Sequence, residues 1–286
     1  MKKIFHTITI IIALFCWSCT ETNDVIAPGD KPIITAYLAP GHPISMTVKS
    51  EIPYTEDNDG TSKPINGLAI KITGSDGQVF NLKSDGSGNY SSAKTEVIGK
   101  AGTKYTLEFD YKGRKVTGST EIPAKTEGML LDKVEIARTK IDLASGGFPG
   151  PGGGGFGGPG GGGDDNTAIK VTWNNPENAY YFLAVESAEA SPELIVTLPS
   201  GITLPNRRFA NSPVVGTSTN VIPNSFSYFG NYNVILYRVG TDYAALYRSS
   251  GTTTQNISTP PTSIENGLGI FSGINADTLK FTVTKK

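Results

Sequence analysis

Ile70-Lys71-Ile72-Thr73-Gly74-Ser75-Asp76-Gly77-Gln78-Val79-Phe80-Asn81-Leu82 sets two short alternating runs on either side of an Asp-Gly turn. Ile70 and Ile72 share one face of the first run, and Phe80 and Leu82 share one face of the second. The Asp-Gly pair readily adopts the left-handed backbone of a tight hairpin turn, which matches the twist of the two strands it joins. A one-residue slip would turn every apolar side chain outward, so the pattern also sets the register. The stretch reads as an antiparallel hairpin with one buried face.

The same pattern runs outward in both directions. Upstream, Ile33 to Leu38 ends at Ala39-Pro40-Gly41, Ile44 to Ser50 follows, and Leu68 to Thr73 leads into the hairpin. Downstream, Ser84-Asp85-Gly86-Ser87-Gly88-Asn89-Tyr90 makes a second turn. Tyr105, Leu107 and Phe109 then alternate to one face, Lys112-Gly113-Arg114 turns the chain, and Val116 to Ile122 stops at Pro123. About seven short strands in about 90 residues, separated by regular turn clusters, make a β-sandwich of immunoglobulin or transthyretin type. With Gly88-Asn89-Tyr90 and Tyr105-Thr106-Leu107, the stretch from Ile70 to Thr120 resembles the prealbumin-like modules of bacterial surface proteins. That resemblance implies an architecture and no chemistry.

Beyond Lys125 the composition changes. From Gly146 to Gly163, 13 of 18 residues are glycine. Such a stretch cannot bury enough apolar surface to offset the entropy of ordering it, and is expected to be disordered. Val134 and Ile136 alternate before it, and Ile169, Val171 and Trp173 alternate after it. These flanks are expected to be two antiparallel strands joined by an overgrown hairpin loop, because loop-closure cost rises only slowly with length. Trp173-Asn174-Asn175-Pro176 followed by Tyr180 to Val185 resembles fibronectin type III order. Asn233 to Val239 is a further apolar strand, Asp242 to Ser249 a short helix, and Leu279 to Val283 the last strand. The fold class is therefore all-β, with two sandwiches at 32–124 and 125–286.

At 286 residues the chain is long enough for two such cores. A net charge of −1, with 25 basic and 26 acidic residues, carries no basic footprint for nucleic acid. Lys2 and Lys3 precede an apolar run from Ile4 to Phe15, too short for a bilayer-spanning helix of about 20 residues. Residues 1–18 thus have the anatomy of a secretory signal. Small Ser18 precedes Cys19, whereas bulky Phe15 precedes Cys16, so Cys19 is the better cleavage point. The junction resembles a bacterial lipoprotein signal, which implies lipidation of Cys19 and a membrane anchor; the alternative is plain cleavage with Cys19 a free thiol. Residues 19–31 then form the polar tether that carries the folded part.

Few residues carry candidate chemistry. His42, in the turn Gly41-His42-Pro43, is the single histidine behind the signal, too few for a histidine-based zinc site; a serine hydrolase would have to use it, no Gly-x-Ser-x-Gly elbow accompanies it, and a solvated turn histidine is expected. No Gly-Lys-Ser/Thr follows the glycines, which removes a phosphate cradle, and no cofactor is expected. Thr55-Glu56-Asp57-Asn58-Asp59-Gly60 is acidic, but Thr55 and Asn66 occupy the two ends of a calcium loop where carboxylates belong; a solvated loop is expected, with a loose calcium site near Asp57 and Asp59 as the alternative. Glu186 and Glu189 could in principle flank a glycosidic bond, and an exposed strand end is the simpler account. Seven aromatics lie between Phe226 and Tyr247. Most are expected in the core, with Tyr228, Phe229 and Tyr232, at the Phe-Gly-Asn turn, the ones to face a ligand or partner.

Lys31-Pro32-Ile33-Ile34-Thr35-Ala36-Tyr37-Leu38, Ile52-Pro53-Tyr54, Gly88-Asn89-Tyr90, Ser119-Thr120-Glu121-Ile122-Pro123, Val171-Thr172-Trp173, Tyr180-Tyr181 and Asn266-Gly267-Leu268-Gly269-Ile270-Phe271 fall in order along the chain. Together they resemble the domain-of-unknown-function 4249 family of Bacteroidota outer-membrane lipoproteins. The glycine-rich stretch departs from that pattern. The resemblance implies an outer-membrane lipoprotein, often encoded beside a TonB-dependent transporter, without an assigned activity or functional residues. The expectation is a non-enzymatic, lipid-anchored protein that binds as an accessory to such a transporter. A structural or adhesive surface protein is the alternative, and a hydrolase using carboxylates alone is a third reading.

Overall fold

The structure, a computed structural model, describes residues 31–51, 61–143, 166–198, 200–201, 209–249 and 262–286. Cys19, the tether, Asp57, Asp59 and the glycine-rich stretch 146–163 lie outside them.

The first region forms β1 (Pro32–Leu38), β2 (Ser45–Ser50), β3 (Lys71–Gly74), β4 (Val79–Asn81), β5 (Lys83–Ser84), β6 (Asn89–Ser91), β7 (Lys104–Tyr111) and β8 (Arg114–Glu121). The second forms β9 (Glu127–Leu131), β10 (Glu135–Arg138), β11 (Ile141–Asp142), β12 (Ile169–Asn174), β13 (Tyr180–Ser187), β14 (Val196–Thr197), β15 (Phe209–Ala210), β16 (Val214–Val215), β17 (Ser218–Val221) and β18 (Gly230–Val239). Helix α1 (Thr241–Ser249), β19 (Ile264–Glu265) and the 18-residue β20 (Leu268–Lys285) complete the chain.

Alternation decides which side chains go inside. In β7, Tyr105, Leu107 and Phe109 are buried and their neighbours exposed. The Asp-Gly hairpin joins β3 to β4 in the expected register, Ile72 opposite Phe80. Gly77 has a φ of +88°, its N–H donates to Gly74 O, and Gln78 N–H donates to Asp76 Oδ1 at 3.1 Å. Tyr90 is buried, and its hydroxyl donates to Ile65 O at 2.8 Å and accepts from Leu68 N at 3.2 Å. It thereby holds the 65–68 loop over the end of the first core.

Two sandwiches share one long sheet. Its order is β15-β13-β18-β20-β1-β2-β6-β5, with β10 also on β20 and β16 on β13. The β1 end of this sheet faces the five-stranded sheet β19-β8-β7-β3-β4, and the first core fills the space between them. At the β13 end the sheet faces β17-β12-β9 over the second core, where Trp173, Tyr181, Phe226 and Phe281 meet. The protein is an all-β sandwich fold, with one short α-helix among the described residues.

The expected pairing of the strands flanking the glycine-rich stretch is not found. β12 pairs with β9 and β17, whereas β10 pairs in parallel with the end of β20. The chain changes sheets between the two. Asp132 N–H donates to Lys170 O and Asp132 Oδ1 accepts from Lys170 N–H, and then Val134 O accepts from Thr282 N–H on the opposite sheet. Alternation announces a strand but not its partner, and Val134, read with Ile136 as one face, lies exposed at this crossing.

The C-terminal stretch also reaches into the sandwich formed by residues 32–122. Leu268–Gly273 pairs in parallel with Ile33–Leu38, and Ile264 and Glu265 pair with Gly118 and Thr117 of β8. Phe271 is fully buried in the first core with Ile34, Leu38 and Val116. Phe271→Ala should cost the first core about 3–5 kcal/mol through lost burial and the cavity left behind. Hydrogen exchange should show this as faster exchange in β1 and β8; unchanged rates there would contradict Phe271's place in that core.

Candidate functional site

In β13 the run Tyr180-Tyr181-Phe182-Leu183 is apolar on both faces. Tyr181 and Leu183 point into the second core, and Tyr180 and Phe182 point to the outer face of the long sheet. A strand apolar on both sides is a strand covered on both sides. The cover on the outer face is α1, whose Tyr243 and Tyr247 are four residues apart and so lie on one side of the helix.

The helix has an acidic residue, Asp242, in its first turn, where the exposed backbone N–H groups favour negative charge. Asp242 also anchors it: Oδ1 accepts from Ser272 Oγ of β20 and Oδ2 accepts from Ser263 Oγ, both at 3.4 Å. Between the helix and the sheet, Val239, Ile270 and the helix's own Tyr243 are buried, with Tyr180, Phe182, Tyr237, Leu246 and Ile274 packed around them.

The rings form a continuous cluster. Phe182 lies directly opposite Tyr237 in the β13–β18 register, and the two stack with centroids 4.7 Å apart and planes 15° apart. Phe182 also stacks on Tyr243 at 5.4 Å and 9°. Tyr243 in turn meets Tyr247 at 5.3 Å and, edge on, Tyr37 of β1 at 5.8 Å. Offset and edge-to-face contacts of this kind stabilise by about 0.5–1.5 kcal/mol each beyond the area they bury. The outermost members remain partly open: Tyr37 is 42% exposed and Tyr247 44% exposed. Partial burial, and then the neighbouring Tyr247 phenol, hold the Tyr37 phenol above the ordinary tyrosine range. Its hydroxyl is therefore neutral at physiological pH and suited to hydrogen bonding. The arrangement offers two phenols on an aromatic base, at the seam where both sandwiches meet.

The aromatic turn expected to face a ligand is placed elsewhere. Phe229 is 7% exposed and Tyr232 4% exposed, both in the second core, and Tyr228 is half-buried against it. Tyr232 packs edge on against Phe226 at 4.8 Å. Its hydroxyl donates to Tyr228 O at 2.9 Å and accepts from Tyr228 N at 3.0 Å, which folds the turn inward. A turn of Phe, Gly and Asn reads as a surface feature, but Phe229 N–H donates to Glu193 O and β18 buries Tyr232, Val234 and Leu236 on one face.

His42 is exposed in its turn, where its N–H donates to Ala39 O and its carbonyl accepts from Ile98 N. Glu189 Oε1 accepts from Asn231 N at 2.8 Å and Asn231 Nδ2 at 2.9 Å, so it braces the start of β18. Glu186 lies opposite Asn233 in the same ladder. Among the described residues, no three His, Cys, Asp or Glu side chains converge on a point that could hold a metal ion, and no helix is long and apolar enough to cross a membrane. Tyr37 stands alone in the sequence, outside the dense aromatic run from Phe226 to Tyr247. Its signal was parity, since Ile34, Ala36 and Leu38 go inward and Tyr37 must go out.

The family described as a domain of unknown function, DUF4249, matches residues 20–280 of the chain. No curated protein matches it. Among solved structures, domains A168–A170 of titin are 10% identical, with 73% of this chain and 61% of that one covered and a TM-score of 0.20. The Yersinia pseudotuberculosis adhesin InvE is 12% identical, over 89% of this chain and 60% of that one, also at 0.20. A chimeric titin Z1Z2-Z1Z2 tandem is 10% identical, over 89% and 99%, again at 0.20. The chain thus spans about three fifths of the first two. No enzymatic family is indicated.

Burial pushes the Tyr232 phenol up to about 12. A folded-state value above the unfolded value of about 10 stabilises the fold fully below pH 10. Above that the unfolded chain loses its proton first, so stability falls as pH rises from about 10 to about 12. Urea titrations across this window should show a falling midpoint, and Tyr232→Phe should flatten part of the fall. An equal fall in the variant would assign the effect to other groups.

Proposed function

The chain belongs to the DUF4249 family, and we propose that this member is a non-enzymatic outer-membrane lipoprotein, anchored through Cys19, that binds as an accessory to a TonB-dependent transporter. The observation that carries the binding role is the aromatic seam, with Tyr37 and Tyr247 exposed on a base of Tyr243 and Phe182. Tyrosine supplies a large, rigid contact area with a polar end and is enriched at the centres of protein interfaces. The seam lies on the face shared by the two sandwiches, so a partner bound there touches both.

The signal anatomy of residues 1–18 and the small residue before Cys19 support the anchor. An acyl anchor contributes about 0.8 kcal/mol per buried methylene, so two or three chains hold a protein on a membrane in effect permanently. The tether 19–31 then keeps the seam within reach of a neighbour in the same membrane. A lone histidine, His42, and no Gly-x-Ser-x-Gly elbow in the sequence favour a binding role over a catalytic one.

Crosslinked pull-down of the tagged protein from native outer membranes tests the proposal. A barrel transporter should be recovered with the native chain and lost with Cys19→Ala, which leaves the fold intact. Tyr37→Ala combined with Tyr247→Ala should reduce recovery about tenfold or more while leaving the protein in the membrane. Recovery of the protein alone, together with loss of surface attachment by cells that lack it, would replace the transporter accessory with an adhesin.

A further inference from the structure

The first sandwich is built from the two ends of the chain. One of its sheets reaches the seam at β1 and the other at β8, and the gap between them is filled by residues 264–275. On one side Leu268–Gly273 makes a six-residue parallel ladder with β1. On the other, Ile264 and Glu265 pair with β8, Asn266 Nδ2 donates to Lys115 O at 2.9 Å, and Gly273 N donates to Thr120 Oγ1 at 2.7 Å. Asn275 Nδ2 donates to Pro123 O at 2.9 Å. Phe271 and Ile264 enter the core between the two sheets.

The same strand has a second, stronger attachment. Residues 274–283 of β20 form a ten-residue antiparallel ladder with β18, and 282–285 pair with β10. The β18–β20 partners are close in sequence, Val239 opposite Ile274 and Gly230 opposite Val283. The β1–β20 partners, such as Ile33 and Leu268, are about 235 residues apart. Loop closure favours the near pairing first, and the antiparallel ladder is both longer and more stable per residue than the parallel one. The second sandwich therefore does not need the first, whereas the first needs a strand that the second holds.

We propose that residues 264–275 are a completing strand: the second sandwich folds first and presents this strand, and its docking between β1 and β8 is the last step that closes the first sandwich. Until then, the first sandwich has an open side with two unpaired strand edges. A chain made or exported in N-to-C order thus keeps the sandwich of residues 32–122 open on one side until residues 264–275 arrive. Completion depends on two glycines. Gly269 has a φ of +96° and a Cβ there would run into the Ile34 carbonyl, and a Cβ at Gly273 would meet the Glu121 carbonyl. Both lie in the part of β20 that serves the first sandwich.

Pulse-labelling hydrogen exchange during refolding of the unaltered chain from residue 20 tests the order. Amides of Tyr180–Ser187 and Gly230–Val239 should become protected first, and those of β1 and β8 last, together with Leu268–Gly273. Protection of β1 and β8 before β18 would overturn the proposal. In native-state exchange, Gly269→Val should speed β1 and β8 amides about 100-fold and leave β13 and β18 within about threefold. Equal acceleration in both sandwiches, or none in either, would show that the strand does not act as a separable closing element.

Discussion

The parallel ladder between Ile33–Leu38 and Leu268–Gly273 joins the two ends of the described chain, and the architecture depends on it. Without it there would be two separate sandwiches and no continuous sheet running from β15 to β5. The ladder is possible because β20 is long enough to serve two cores with one unbroken alternation. Its odd-numbered residues supply both cores: Phe271 enters the first, and Leu279, Phe281 and Val283 pack in the second. Its even-numbered residues consequently share one outer face, among them Ile270 and Ile274.

That outer face is what creates the aromatic seam. Tyr37 reaches it from β1, Phe182 from β13 and Tyr237 from β18; β13 and β18 pair directly, and β1 joins them in one sheet only through β20. Helix α1 follows β18 directly and folds back over the join, held by Asp242 to Ser272 and Ser263. An apolar sheet face of this size would otherwise lie open to water. The helix covers its centre and leaves the rim, Tyr37 and Tyr247, as the part that can meet something else. Structure and candidate site thus have one cause, the continuity of the long sheet.

Strand identity was largely legible in the sequence, and strand partnership was not. The Asp76-Gly77 turn, the alternation of Tyr105, Leu107 and Phe109, and the helix over Tyr243 and Ala244 could be read because each is decided by neighbours within a few residues. The pairing of β1 with β20, and of β10 with β20 instead of β12, depends on which distant edge is available, and local periodicity carries no such information. The site shows the same division. Phe229 and Tyr232 read as exposed because a Gly-Asn turn follows Phe229, yet the parity of Tyr232 within β18, its hydrogen bonds to Tyr228 and the Phe229 N–H bond to Glu193 O put both inside. Tyr37 was readable by parity alone, but its companions Tyr243 and Tyr247 are brought to it by the long-range ladder.

Glycine placement shows how closely the strand and its site are tied. Gly269 and Gly273 let β20 pass near the Ile34 and Glu121 carbonyls, and Ile270 and Ser272, the residues after Gly269 and before Gly273, are the ones that meet the helix. A bulkier residue at Gly269 would lift the strand from β1, one at Gly273 would push it from Glu121, and the first would move Tyr37 relative to Tyr243. Close backbone approach in the first sandwich therefore also sets the ring geometry of the seam. A glycine variant would displace the tyrosines without any change to the tyrosines themselves, because here the exposed aromatic surface is a property of strand register before it is a property of side chains.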